Sequence, residues 1–192
     1  MTPESRSRTR LDPAVRRQQI AEAAARAYAE RDPAEVTFED VADEAGVSRS
    51  LVYAYFGDRG NLLAAAYTVE LARLDRAIDG ALGDIRLDRS RVDDAVRTYL
   101  AFASRHRASW NLMAAAGSSR HPAVREAIAA RTERIAEQVG NTTEVRLLVS
   151  GVIGMLEAAA AQVLENGDTD PDELADLLSQ VIWAGVSSLS ED

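Results

Sequence analysis

Residues 37–56 read Thr-Phe-Glu-Asp-Val-Ala-Asp-Glu-Ala-Gly-Val-Ser-Arg-Ser-Leu-Val-Tyr-Ala-Tyr-Phe, and the fold turns on their spacing. Thr37 with Asp40 three residues later forms a short-armed capping box, which opens a short helix. Val41, Ala42 and Ala45 fall on its inner face. Gly46 ends it, because the left-handed turn residue costs least as glycine. Ser48 then caps a further helix running to about Tyr55. Ala42 is small where two helices must cross closely, Val47 anchors the turn, and Val52 turns the second helix's inner face to the core. The pattern is a helix-turn-helix. It projects residues 48–51 away from the core, where they can enter a major groove. An ordinary helical hairpin carries some of the same spacings. The full set, together with an arginine run upstream, favours nucleic-acid binding.

Outward from this segment the chain reads as helix nearly throughout, with no convincing period-two alternation. A first helix is predicted from Asp12 to about Glu30, with Asp12 as cap, Pro13 in the first turn and Ile20, Ala23, Ala24, Ala27 and Tyr28 as its apolar stripe. After a break at Phe56-Gly57, Asp58 caps a long fourth helix with Leu62, Leu63, Ala66, Tyr67 and Leu74 facing inward. Residues 80–88 read as a loop or frayed turn. Further helices are predicted at roughly 90–106, 108–116, 122–139, 143–166 and 171–189. His121-Pro122 and Asp170-Pro171 mark starts, and Asn166-Gly167-Asp168 marks a stop. The expected fold is all-α, with about nine helices. Residues 1–60 form a three-helix DNA-binding domain, of which 1–11 are a basic arm. Residues 61–192 form a larger helical domain for ligand binding and dimerisation, and the fourth helix is placed to bridge both parts.

Composition narrows the chemistry. The 192 residues include no cysteine, which excludes disulfides and thiolate metal sites, and only two histidines, His106 and His121. No metal or other cofactor is expected. The net charge of −9 is uneven: residues 1–20 carry five arginines against Glu4 and Asp12. All 22 basic residues are arginine; this suits phosphate and guanine contacts, and GC-rich coding produces the same bias. No apolar core follows the N-terminal arginines, so they do not read as a signal peptide. The longest apolar stretch, Leu147 to Leu164, is interrupted by Ser150, Glu157 and Gln162, which argues against a membrane span. A cytoplasmic protein is expected. No phosphate-binding glycine loop, metal signature or nucleophile elbow is present, and the carboxylates are spread along helix faces beside arginines, so an enzyme is not expected.

The stretch Gly46-Val47-Ser48-Arg49, continued by Tyr53-x-x-Phe56-x-Asp58-Arg59-x-x-Leu62, resembles TetR-type transcriptional regulators. The upstream Ile20-x2-Ala23-Ala24 and Ala27-Tyr28 pattern fits the same family's first helix. The resemblance runs from Arg17 to about Leu63; beyond that the chain is similar in length and helical character only. It implies that Ser48, Arg49, Ser50 and Leu51 read base edges, with Arg49 reaching guanine and Leu51 a thymine methyl. It implies phosphate contacts from Tyr53, Tyr55 and Arg59, and from Thr37 with the amides of its helix start. Arg6, Arg8 and Arg10 either grip the DNA or form a solvated tail. The chain departs from the family pattern in four places. Arg31-Asp32-Pro33 stands where a glycine is common, Arg59 replaces a lysine, Gly60 replaces an acidic residue, and Leu51 replaces a small polar one.

A single reading head buries too little surface to find a genomic site, so a homodimer is expected. Leu174, Leu177, Leu178, Val181, Ile182, Gly185, Val186 and Leu189 form one stripe, and Ser150, Gly154, Ala158 and Ala161 form a small-residue face on the preceding helix. Either an interface or internal core accounts for these stripes; the resemblance implies a four-helix bundle across a two-fold axis. Tyr99, Phe102, His106, Trp110, Met113 and Met155 are candidates to line a pocket for a small, largely apolar or aromatic ligand, although core packing is the stronger explanation for each of them taken singly. The expected function is a repressor released from a palindromic operator in double-stranded DNA by a small-molecule effector. The alternatives are a helical ligand-binding protein without DNA regulation, or an activator or co-repressor-dependent variant.

Overall fold

The computed structural model describes residues 11–82, 88–140, 142–165 and 169–188. Arg6, Arg8 and Arg10, the predicted stop at Asn166-Gly167-Asp168, Leu189 and most of the loop predicted at 80–88 lie outside them. The described residues form nine helices and no strand: α1 Pro13–Glu30, α2 Phe38–Ala45, α3 Arg49–Phe56, α4 Arg59–Leu82, α5 Arg89–Arg105, α6 Arg107–Gly117, α7 Pro122–Val139, α8 Thr143–Glu165 and α9 Pro171–Ser188.

The helices start where short polar side chains meet free amides. Asp12 accepts from the Ala14 amide. The Thr37 hydroxyl accepts from the Asp40 amide while the Asp40 carboxylate accepts from the Thr37 amide. Ser48 accepts from Leu51, Asp88 from Arg91 and Asp170 from Asp172. Each bond satisfies a donor that the helix itself leaves open. Gly46 ends α2 at φ 64°, and its amide donates to Ala42 and Asp43. A side chain there would be strained even though space is available.

Two cores share α4. The head core gathers Ile20, Ala23, Ala24 and Tyr28 of α1, Val41 and Ala42 of α2, and Val52 and Phe56 of α3. Leu62, Ala66 and Val69 of α4 and Leu112 of α6 complete it. The body core takes Ala64, Tyr67, Leu71 and Leu74 from another face of α4 and packs them on α5, α6, α7, α8 and α9. Packing therefore does not break at residue 60: the predicted reading head is finished by residues of the following segment.

The predicted stripe on α9 splits into two faces. Ala175, Leu178 and Ile182 are buried in the body core, and Leu174 packs against it. A Cβ on Gly185 would come within 2.8 Å of Leu148, so this glycine lets α8 and α9 of one chain approach closely. Leu178 and Ile182 are thus buried within the subunit and Gly185 packs on Leu148 of the same chain, so internal packing accounts for these three positions of the expected interface. Leu177 and Val181 point outward, 57% and 47% exposed, and Leu147 on α8 is 74% exposed. Ser150, Gly154 and Ala158 also lie exposed. By length and composition α8 is the one described helix long and apolar enough to cross a membrane, and only 17% of its apolar window is buried.

His121 joins head to body. Its Nδ1 accepts from the Ala123 amide and so caps α7. An imidazole accepting at Nδ1 carries its proton on Nε2, which lies 3.3 Å from Asp58 Oδ1. Asp58 in turn caps α4 by accepting from the Asn61 amide. The imidazole crowds Gly60: a Cβ there would fall well inside contact distance of the ring. Gly60→Ala is expected to force the ring aside and cost about 1–3 kcal/mol in denaturant unfolding. Adding His121→Ala should recover part of that loss; strictly additive effects would contradict the contact.

Candidate nucleic-acid interface

Helix α3 offers one uncommitted face. Val52 and Phe56 hold it to the head core, while Arg49, Ser50 and Tyr53 face outward. Tyr53 is 61% exposed, with its ring edge-on to Phe38 at 5.9 Å between centroids. That contact fixes the ring and leaves the rest of Tyr53 exposed at the surface. Ser50 and Ser48 share a 3.0 Å hydroxyl contact, and Ser48 is already used in capping. Leu51 is half-buried, so it presents only part of its side chain outward. Tyr55 is half-buried against the head core.

Thr37, Phe38, Glu39, Arg49 and Arg59 surround a concavity of about 370 Å³ between α2, α3 and the start of α4. The structure thus brings three of the predicted contact residues together. Their hydroxyls and guanidinium groups are not equally available. The Thr37 hydroxyl donates to Asp40 Oδ2 at 2.6 Å, so it is committed to the cap. Glu39 and Asp40 place two carboxylates in the first turn of α2. Hydrogen bonds from Thr37, with help from Arg31, hold the Asp40 carboxyl down at about 2. Asp40 therefore stays ionised through the physiological range and stabilises the cap there. The contribution is present above the ordinary carboxylate pKa and is lost as pH falls toward 2. Arg59 donates to the carbonyls of Pro33 and Ala34 at 3.0 and 2.6 Å, tying the α1–α2 connection to α4. Burial raises the pKa of the Tyr28 hydroxyl, and the neighbouring Arg59 offsets part of that rise. Both arginines are exposed, but Arg49 makes no such tie among the described residues, which leaves its guanidinium uncommitted.

Sequence reasoning missed Arg17. Its guanidinium stacks 4.4 Å over the Phe56 ring and donates to the Tyr55 carbonyl at 2.6 Å, fixing the C-terminal end of α3 to α1. The two partners lie 38 residues apart, and no local pattern links them.

In the body, Tyr99, Phe102, Trp110 and Met113 are buried in one cluster, with Tyr99 edge-on to Trp110 at 6.1 Å. Met155 packs partly buried against them. His106 stands apart: it is exposed at the junction of α5 and α6, its ring 4.6 Å from that of Phe102.

Comparison with known proteins matches two family descriptions. Residues 20–66 match "bacterial regulatory proteins, tetR family", and residues 89–185 match "tetracyclin repressor-like, C-terminal domain". The HTH-type transcriptional regulator BetI of Brucella anthropi is 33% identical over 78 residues, a stretch covering 41% of this chain and 40% of that protein. The chain thus matches well under half the length of this curated relative. A TetR-like transcriptional regulator from Rhodococcus sp. RHA1 is similar across 93% of this chain and 99% of its own, with 29% identity and a TM-score of 0.62. The multidrug binding protein EbrR, whose structure holds imidazole, shares the fold over 93% of this chain and 96% of its own, with 22% identity and a TM-score of 0.70.

Proposed function

The chain belongs to the TetR family of bacterial transcriptional regulators, and from that premise we propose that it is a homodimeric repressor released from a palindromic operator by a small molecule. The observation that carries the DNA-reading part is the outward face of α3, where Arg49, Ser50 and Tyr53 have no structural duty that would bury them. Arg49 reads a guanine edge as a bidentate donor, and Ser48, Ser50 and the exposed part of Leu51 complete the base contacts. Tyr53 takes a phosphate, with weaker contributions from Tyr55, Thr37 and Arg59, whose polar groups are shared with the fold. Residues 1–60 form the reading head and 61–192 the ligand-binding and dimerisation body, with α4 common to both.

The exposed apolar residues Leu147, Leu177 and Val181, flanked by Ser150, Gly154 and Ala158, support a second copy as the cover of α8 and α9. Small residues let helices pack closely, and an apolar face of this kind is costly to leave in water. The body core around Tyr99, Phe102, Trp110 and Met113 is the region proposed to receive the effector. Release requires two states differing in the spacing of the two recognition helices, which must lie about 34–36 Å apart to meet successive grooves. Helix α4 is the proposed lever, and the His121 contact to Asp58 and Gly60 passes motion of α7 to its start. The coupling is reciprocal, at about 1–3 kcal/mol, so DNA weakens effector binding by the factor that the effector weakens DNA binding.

Footprinting on the DNA that flanks the gene should reveal two protected half-sites related by a dyad. Arg49→Ala is expected to cost about 1–3 kcal/mol and to relax preference at one base pair per half-site. A uniform loss over all sequences would make Arg49 a phosphate contact, and no protected dyad would overturn the operator reading. Leu177→Glu with Val181→Glu is expected to yield folded monomers in sedimentation with DNA affinity sharply reduced. A dimer that survives both changes would place the interface elsewhere.

A further inference from the structure

Arg131 of α7 is buried, with its side chain 6% exposed, and its Nε has no hydrogen-bond acceptor among the described residues. Its ion contact, Nε to Asp75 Oδ1, is long at 3.6 Å. Asp75 gives its other oxygen to Arg134, so this carboxylate is divided between two guanidinium groups. A buried guanidinium has five donors and no acceptor of its own, and leaving any of them under-paired in a low-dielectric interior is costly. Such a group in a body core calls for an acceptor that the free chain does not supply.

The surroundings define that acceptor. The charge of Arg131 acts on three groups from three other helices: Tyr67 on α4, Tyr99 on α5 and Glu157 on α8. Burial pushes the Tyr67 hydroxyl up to about 12 and raises that of Tyr99 further, so both keep their protons and can donate. Partial burial raises the Glu157 carboxyl and the charge of Arg131 opposes that shift; the residue itself lies exposed on α8, at the edge of the group. The buried charge of Arg131 thus acts on two phenols that sit in one apolar cluster with Phe102, Trp110 and the unbranched Met113, against which Met155 packs.

We infer that Arg131 anchors the carboxylate of a small apolar acid bound inside the body. This rests on the effector reading above and names the chemical class of that effector. The carboxylate accepts from the guanidinium as a charge-assisted pair, the Tyr67 and Tyr99 hydroxyls supply further donors, and the apolar tail displaces methionine side chains toward Phe102 and Trp110. A cationic ligand would meet Arg131 with like charge. A neutral one would leave the guanidinium with only the long contact to Asp75. A bound acid bears on α4 through Tyr67 and on α7 through Arg131, the two helices that meet at His121 and Gly60.

Hexanoate and benzoate can be compared with hexanamide, benzamide and hexylammonium in thermal unfolding and calorimetry of the full-length protein at neutral pH. At least one acid is expected to raise Tm and to bind at least about tenfold more tightly than its amide or amine counterpart. Arg131→Met should abolish that difference while leaving the Tm of the free protein unchanged or higher, because an under-paired buried charge has been removed. Arg131→Lys and Tyr99→Phe should each weaken acid binding while preserving the fold, and they decide the matter if Arg131→Met fails to fold. Failure of both acids to bind, or equal acid binding by wild type and the Arg131 variants, would overturn the inference. Operator binding released only by a non-acid would overturn it and leave the repressor reading standing. A wild-type protein that binds acids and no operator would retain the site and remove the repressor.

Discussion

One helix serves two cores, and the rest of the structure depends on it. Leu62, Ala66 and Val69 of α4 complete the head, while Ala64, Tyr67, Leu71 and Leu74 of the same helix belong to the body. Each set contributes apolar burial worth roughly 1.5–3 kcal/mol per large side chain. Neither half can move far along α4 without opening a packed interface. Close-packed interiors shift between discrete arrangements rather than deforming smoothly, which makes a shared helix a means of coupling the two halves. The Asp58–His121–Gly60 contact at the head end of α4 adds a second tie, and Leu112 of α6 reaches into the head core as a third.

The head illustrates how local chemistry releases a side chain for recognition. The capping box at Thr37 and Asp40, the Ser48 cap and the left-handed Gly46 fix the α2–α3 turn with short-range bonds. Arg17 clamps the far end of α3, and Arg59 clamps the connection before α2. With these groups absorbed by the scaffold, Arg49 and Tyr53 are left outward on a rigid helix. Pre-positioning of this kind lowers the entropy that binding must overcome.

Much of this architecture was legible in the sequence because it is written locally. Asp12-Pro13, Thr37 with Asp40, Gly46, Ser48, His121-Pro122 and Asp170-Pro171 each act within one helical turn, and the helices begin beside them. What could not be read was the identity of a distant neighbour. Periodicity placed Leu177, Leu178, Val181 and Ile182 on one stripe, yet that stripe is wide enough to serve both the body core and the exterior. Gly185 reads as a small residue for a close approach, and only the packing reveals that the approach is to Leu148 of the same chain. Arg59 kept its expected charge but turned to nearby carbonyls. Arg131, set among alanines and polar residues on α7, reads as one more solvated arginine; its burial follows from how α7 packs between α4 and α8, where Asp75 of α4 meets its guanidinium.

The central claim is that α4 fixes how far apart two reading heads stand in a dimer. The chain lacks cysteine, so Asp43→Cys on the exposed side of α2 gives one spin label per subunit. Pulsed dipolar spectroscopy on the dimer, free and on its footprinted DNA, then measures head-to-head separation. The account predicts a single narrow distance on DNA, consistent with recognition helices about 34–36 Å apart, and a shifted or broader distribution in its absence. No dipolar signal between subunits, or a distribution that DNA leaves unchanged, would contradict it.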